Sequence, residues 1–380
     1  MRPAEQGTKR AESSLTILYF GTDWEGANRT SSHHVARWLA RHHRLEFFEC
    51  PGLRPPALGG GDGSRLKAKL RLMLSGARRP EPGVTVRTLF QIPFHGSRLA
   101  RWLNRILLRW QAGRVARSVR RRDPDTPIVS WFIAPHVGSL AGRLGEDLSV
   151  YYCVDDFAAF PGVDAVAVQQ MDDTLTAAAD LVFVSSDTLL DAKRRLGSDV
   201  HHAPHGVDLE HFRNAARNTG PRPAAIPADG PVIGYFGLIA PWIDLDLIDE
   251  LAMRHPEWRF VMIGRIAVES DALPRRDNVS LPGPVEYQRL PELAAWFDVA
   301  VIPYRLTRQV MHANPIKLRE YIALEHPVVA VSTPEIDKFA GLVAIADGPD
   351  QWERAIEVAL SESPESAEFR SRTQARAAEE

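Results

Sequence analysis

The sequence predicts an α/β protein made of two doubly wound, Rossmann-like domains that face a central cleft. Three observations carry this. Short, almost wholly apolar runs alternate with helical patterns along most of the chain. The alternation breaks once, over 213–230, in a stretch rich in Pro, Ala, Gly and Asn, and then starts afresh. The length of 380 residues suits two domains. The expected division is a first domain over 14–212, a linker over 213–230, a second domain over 231–362 and a polar tail over 363–380.

Taken in order, residues 1–13 are polar and loose, and Leu15 to Phe20 is the first strand. A turn-rich loop, Gly21 to Asn28, leads into a helix capped by Ser31 or Ser32, with Val35, Trp38 and Leu39 as its apolar face. The loop sits where such sheets bind ligands, which makes Asp23, Asn28 and Arg29 site candidates; the alternative is a loop that only caps the helix. Leu45 to Glu49 is the second strand, 54–64 a flexible loop, 66–74 a helix and Val84 to Leu89 a strand. Further strands fall at 127–132, 148–154, 180–184 and 199–203, with helical segments between them. The second series has strands at 232–236, 259–263, 279–281, 299–302, 328–331 and 342–345, helices at 245–252 and 290–297, and a closing helix at 352–360.

Asn314 to Val331, NPIKLREYIALEHPVVAV, is a helix with both ends written into it, followed by a buried strand. Asn314 suits the N-cap and Pro315 the first helical position. Leu318, Tyr321, Ile322 and Leu324 form an apolar stripe, and His326–Pro327 stops the helix. The start of such a helix offers free N–H groups and a positive dipole end to a diphosphate. Lys317 adds a cation in the first turn, and Glu320 can accept two hydroxyl hydrogen bonds, as a ribose diol requires. The plain alternative is a capped helix with a surface Lys–Glu pair.

The overall charge of −2 hides an asymmetry: residues 64–122 carry sixteen Lys or Arg against one Glu. Over 97–122 a helix places Arg98, Arg101, Arg105 and Arg109 at three- and four-residue spacing, with Leu99, Trp102, Leu103, Ile106, Leu107 and Trp110 on the complementary face. That pattern fits a membrane surface or lipid phosphates. The alternatives are nucleic-acid phosphates, or a helix that packs its apolar side on the sheet and solvates its arginines. Two cysteines, Cys50 and Cys153, make no disulfide framework, which suits a reducing, cytoplasmic setting. There is no metal-ligand cluster, no signal-peptide pattern and no apolar run near the ~18 residues of a membrane span.

Five motifs occur in register: HGVDLEHF (205–212), VIGYFGLI (232–239), FVMIGRI (260–266), FDVAVIPY (297–304) and NPIKLREYIALEHPVV (314–329). Together they resemble the GT-B glycosyltransferases, in particular family-4-like enzymes and the teichuronic-acid and xanthan-type bacterial polysaccharide transferases. The resemblance is dense from about residue 151 to 360. It implies a GT-B fold and sugar transfer, without a required metal or other cofactor, from a nucleotide-sugar co-substrate. The acceptor is a glycan, glycolipid or lipid-linked hydroxyl held by the first domain. The donor set it implies is Gly237, Leu238, Arg265, His312, Asn314, Lys317, Leu318 and Glu320, with Lys317 and Arg265 at the diphosphate and Glu320 at the ribose. Gly237 would let backbone approach the donor.

The chain departs from the family pattern at three places. His312 stands where a Glu faces the donor sugar, Glu325 where Gly often ends the helix, and Ala240-Pro241-Trp242 where a basic residue is usual. Asp155 and Asp156 follow a buried strand, and an Asp in such a place is the proposed base of the xanthan-type transferase that this stretch looks like. Alternation along a strand would send the two to opposite sides, with Asp156 preferred as base, Asp155 next, and inversion as the outcome; the plain alternative is an Asp pair capping the next helix. Two other readings stand beside the transferase: a GT-B sugar-nucleotide epimerase, and a non-catalytic scaffold.

Overall fold

The computed structural model describes residues 14–24, 30–50, 52–53, 76–92, 96–196, 199–217 and 220–361. Asn28, Arg29, the loop expected over 54–64, the helix expected over 66–74 and both polar termini lie outside these residues.

Every expected strand is present, with ends within two residues of those read from the sequence. The first sheet contains β1 (Thr16–Gly21), β2 (Arg44–Glu49), β3 (Val84–Thr88), β4 (Ile128–Phe132), β5 (Leu148–Cys153), β6 (Leu181–Val184) and β7 (Val200–His202). It is seven-stranded, in the order β3-β2-β1-β4-β5-β6-β7, and every pairing is parallel. The second contains β8 (Val232–Phe236), β9 (Arg259–Ile263), β10 (Val279–Gly283), β11 (Val299–Ile302), β12 (Val328–Ala330) and β13 (Val343–Ile345). Its order is β10-β9-β8-β11-β12-β13, again all parallel. In each sheet the chain winds outward from the first strand and then returns to its other side. That reversal opens a crevice at the carboxyl ends beside β1 and beside β8.

The helices are α1 (Ser31–Ala40), α2 (Arg98–Arg122), α3 (Ala165–Ala178), α4 (Asp187–Arg194), α5 (Leu209–Arg217), α6 (Leu245–Arg254), α7 (Leu290–Ala294), α8 (Arg308–His312), α9 (Ile316–Ala323) and α10 (Pro349–Ser361). They cover both faces of each sheet, which is why the strands read as continuous apolar runs. On one face of the first sheet the parallel register stacks Phe20 between Phe48 and Phe132, each 4.8 Å away. On the other face Tyr19 stacks on Phe47 at 5.3 Å and on Trp131 at 6.2 Å. Under β5, the buried Lys193–Asp172 pair ties α4 to α3, and Tyr151 donates to the same carboxylate at 2.7 Å. Ile226, in the stretch read as a linker, and Phe212, at the end of the expected first domain, are both buried in the core of the second sheet.

Three local expectations are corrected. Thr30, not Ser31 or Ser32, is the N-cap of α1, and its N–H donates to His33 Nδ1 at 3.1 Å. The residues of α1 buried against the sheet are Ser31, Ser32, His33 and Ala36, with Val35 and Leu39 half-buried against the same core as expected, while Trp38 is 59% exposed. Small residues are needed there because the helix lies so close: a Cβ on Gly21 would meet Ser32 Oγ at 3.1 Å.

Helix α2 does not pack its large apolar side on the sheet, which removes that alternative. It buries Ala100, Asn104, Leu108, Ala112, Ala116 and Val119, a stripe of mostly small residues at i, i+4 spacing. Leu99, Trp102, Ile106 and Trp110 are 65%, 55%, 50% and 58% exposed. The large apolar side chains and the arginines therefore share the solvent side.

Helix α9 begins at Ile316 with Pro315 at the N-cap and no side-chain cap, so Asn314 does not cap it. At its other end Glu325 adopts φ 60, the left-handed conformation that glycine favours.

Candidate active site

The carboxyl ends of the two sheets border a cleft of about 490 Å³ lined by both lobes. Its floor is set by glycine. Gly237, just past β8, has φ +138, and a Cβ there would lie 3.0 Å from Lys317 Cε and from the Tyr235 hydroxyl. Gly264, just past β9, has φ +152, and its Cβ would fall 1.8 Å from the Gly237 carbonyl oxygen. The two loops thus touch backbone to backbone, and only glycine permits both the contact and the φ.

The first turn of α9 stands behind these loops. Lys317 Nζ donates to the Tyr304 hydroxyl at 2.8 Å and lies over the rings of Tyr235 and Tyr304 at 5.5 and 5.4 Å. Burial works against its charge, but the two tyrosines and Glu320 outweigh it and hold the ammonium above the ordinary lysine range. Glu320, one turn further on, is buried and lines the same cleft. Burial lifts its carboxyl to about 7, against the pull of Lys317. Arg265 adds an exposed guanidinium to the wall and Leu238 an apolar side.

The first lobe answers with the segment after β5. Because β5 ends at Cys153, Asp155 and Asp156 lie beyond the strand, and alternation does not govern them. Asp155 lines the cleft, and its Oδ1 is buried without a hydrogen-bond partner. Burial, and then the neighbouring Asp156, lift its carboxyl to about 7. Asp156 is spent elsewhere: its Oδ2 accepts from Arg308 Nε of α8 at 2.7 Å, with His312 Nε2 at 3.9 Å. The residue favoured as base is thus an ion-pair partner between lobes, while its neighbour faces the open space.

Other assignments separate in the same way. Gly237, Leu238, Arg265, Asn314, Lys317 and Glu320 come together on the wall. Leu318 does not; it is fully buried in the second core. His312 also stays off the wall: its carbonyl accepts from Ser186 Oγ at 2.7 Å, and burial lowers its pKa. Asp23 is exposed and its carbonyl meets His33 Nε2 at 2.8 Å, while the adjoining Thr22 reaches the cleft. Asn314 lines the cleft, but its Nδ2 donates to Ser185 O of the first lobe at 2.6 Å and to Glu335 at 3.1 Å.

Sequence reasoning gave no role to Tyr304, Trp242, His34 or His205, all of which line the cleft. Tyr304 and His205 stood inside quoted motifs, so the signal was available. His205 is buried and bonded to the Tyr152 hydroxyl at 3.0 Å; burial presses its pKa down to about 3, so the ring is neutral.

Residues 230–362 match the family model described as glycosyl transferases group 1. TuaH of Bacillus subtilis (strain 168), named for a glycosyltransferase of teichuronic acid biosynthesis, is 28% identical over 224 residues, 55% of this chain and 56% of that protein. The chain therefore spans about half the length of the curated relative it matches. Among solved structures, Anabaena Alr3699/HepE in complex with UDP and glucose superposes with a TM-score of 0.65 at 16% identity, covering 96% of this chain and 95% of that one. The α,α-trehalose 6-phosphate synthase of Burkholderia multivorans gives 0.60 at 15%, covering 96% and 93%. The fold is GT-B, and the second lobe is similar in sequence to the group 1 glycosyltransferases. Among the described residues, no helix is long and apolar enough to cross a membrane.

Proposed function

We propose that the protein is a glycosyltransferase that moves a sugar from a nucleotide-sugar donor to a hydroxyl of a glycan or lipid-linked acceptor. One observation carries this reading: Lys317 and Glu320 on one wall of the cleft share it with an unpartnered carboxylate, Asp155, on the other. The diphosphate sits at the start of α9, against Lys317 and Arg265, and Glu320 accepts from the ribose hydroxyls. The UDP complex of the Anabaena protein supports a nucleoside diphosphate as the leaving group.

In this reading Asp155 takes the proton of the acceptor hydroxyl while its oxygen attacks the anomeric carbon, which implies inversion. The bond to the diphosphate breaks, and its electron pair leaves with the phosphoryl oxygen. Lys317, Arg265 and the uncapped helix end are already in place to meet that charge, so the step calls for no metal. The relatives favour transfer over the epimerase and scaffold readings.

Helix α2 supports a setting at an anionic membrane surface, on the cytoplasmic side. Arg98, Arg101, Arg105 and Arg109 flank the exposed Leu99, Trp102, Ile106 and Trp110, a basic and aromatic face suited to a bilayer interface. The name of TuaH points the acceptor towards an envelope polysaccharide.

The deciding experiment measures nucleotide release from a panel of nucleotide sugars, with and without a membrane lipid extract. Release that requires the extract supports the reading. Donor conversion without acceptor would indicate an epimerase, and no turnover of any donor would indicate a scaffold.

A further inference from the structure

A second cavity, of about 240 Å³, opens under α2 in the first lobe. None of its lining residues lines the donor cleft. Gln91, Arg101 and Arg105 form one side, and Ser139, Gln170 and Thr174 the other; among the described residues no carboxylate lines it.

Gln91 is the informative residue. It is only 5% exposed, yet neither its Oε1 nor its Nε2 has a hydrogen-bond partner. Buried amides are ordinarily paired. Its backbone is not loose, because α2 grips the residues on both sides. Gln111 exchanges hydrogen bonds with Phe90 N–H and C=O, both at 2.9 Å. Asn104 does the same for Ile92, at 2.7 and 2.8 Å. Two paired amides thus fix the strip 90–92, and Gln91 between them is one of the residues that line the cavity.

The charge around it has one sign. Arg105 also borders a neighbouring groove of about 430 Å³ with Ile106, Arg109, Trp110, Arg117 and Arg143. Among the described residues, Arg105, Arg109, Arg117 and Arg143 have no carboxylate partner. Arg101 donates to Gly96 O at 3.0 Å and remains on the cavity wall.

We propose that this cavity binds a phosphate-bearing head group, separately from the donor. The phosphoryl oxygens meet Arg101 and Arg105, and Gln91, which both donates and accepts, takes an oxygen or hydroxyl beside them. The site goes beyond the diffuse attraction of α2 for an anionic surface, because it reads a group rather than a field. Its phosphate comes either from a lipid in the bilayer or from a soluble phosphomonoester, and the test separates the two.

The full chain is titrated calorimetrically with glycerol 3-phosphate, and its co-sedimentation is followed with phosphatidylcholine vesicles carrying phosphatidylglycerol. Wild type is expected to bind glycerol 3-phosphate saturably, one per chain. Gln91→Leu and Gln91→Glu, confirmed folded by their melting curves, should weaken that binding at least tenfold although every arginine remains. Lys317→Ala, altered only in the donor cleft, should bind as wild type does. If Gln91→Leu also loses vesicle affinity several-fold, the head group belongs to a lipid; if vesicle affinity holds, the phosphate is soluble. No saturable binding, or equal binding by wild type and both Gln91 variants, overturns the site. Loss of binding in Lys317→Ala overturns it as well, by placing the phosphate in the donor cleft.

Discussion

Asp155 and Asp156 are adjacent in the chain but serve different lobes: Asp156 is bonded to Arg308 of the second lobe at 2.7 Å, while Asp155 borders the cleft with Oδ1 unpaired. The two carboxylates therefore separate chemically, one held by a guanidinium and the other lifted towards neutrality.

Asp155→Asn should lower kcat by about 10²- to 10⁴-fold, the usual contribution of a positioned base, and leave nucleotide affinity unchanged. The wild-type rate should rise with pH through about 7 and then level off, because the base is the ionised form. Stopped turnover assays across pH 5.5–9 check both, and a flat profile would exclude Asp155. Asp156→Asn should retain more activity than Asp155→Asn.

Glu320→Gln should weaken nucleotide binding, by the loss of charge-assisted hydrogen bonds to the ribose. It should also stabilise the ligand-free protein at high pH. The carboxyl is raised from 4.5 to about 7 in the folded state. Between those values the folded chain holds a proton that the unfolded chain has released, so stability falls as pH rises through the window and stays lower above it. The gain at pH 8 should be on the order of 1–3 kcal/mol. Denaturant melts of both proteins at pH 5 and pH 8 measure it; an equal difference at both pH values would contradict the assignment.

Arg308→Ala removes the guanidinium from a carboxylate that is only 8% exposed. The expected cost is about 1–2 kcal/mol, below the usual figure for breaking a buried pair because Arg308 itself is largely solvated. Thermal melts give the value.

Gly264→Ala sets a Cβ against the Gly237 carbonyl at 1.8 Å. Relief requires the two loops to part, so donor affinity should drop at least tenfold together with a lowered Tm. Gly283→Ala is the contrast: φ is +86 but nothing lies within 4 Å of its Cβ, so only the conformational cost of about 1–2 kcal/mol remains.

Trp102→Ser with Trp110→Ser should cut association with anionic vesicles several-fold while leaving Tm within about 1 °C, since both rings are mainly in solvent. Replacing Arg98, Arg101, Arg105 and Arg109 with Gln should have the same effect and remove its salt dependence. A large fall in Tm would show that the rings are packed.

The fold was legible because buried parallel strands announce themselves as apolar runs, and thirteen of them alternated with helices. The grouping of Gly237, Lys317 and Glu320 on one cleft wall was legible too, since they sit in continuous motifs whose spacing is local. What escaped was anything set by distant partners. Asn314 looks like a helix cap until Ser185, 129 positions away, is seen to hold its amide. The orientation of helix α2 was left open between a surface-facing and a packed apolar side, because spacing alone did not single out the stripe with Ala100, Ala112 and Ala116 that the fold buries. The Asp pair was ranked by strand alternation, which lapses where β5 ends.

The Asn314 amide has a mechanical consequence. Arg319, on the turn of α9 between Lys317 and Glu320, braces it with a 2.6 Å hydrogen bond to Oδ1 while Nδ2 reaches across to Ser185. Swinging the lobes apart must break that reach, and the break falls at the start of the helix that carries Lys317 and Glu320. With the donor held there as proposed, hinge angle and donor occupancy are linked, and the coupling free energy is the same read from either side.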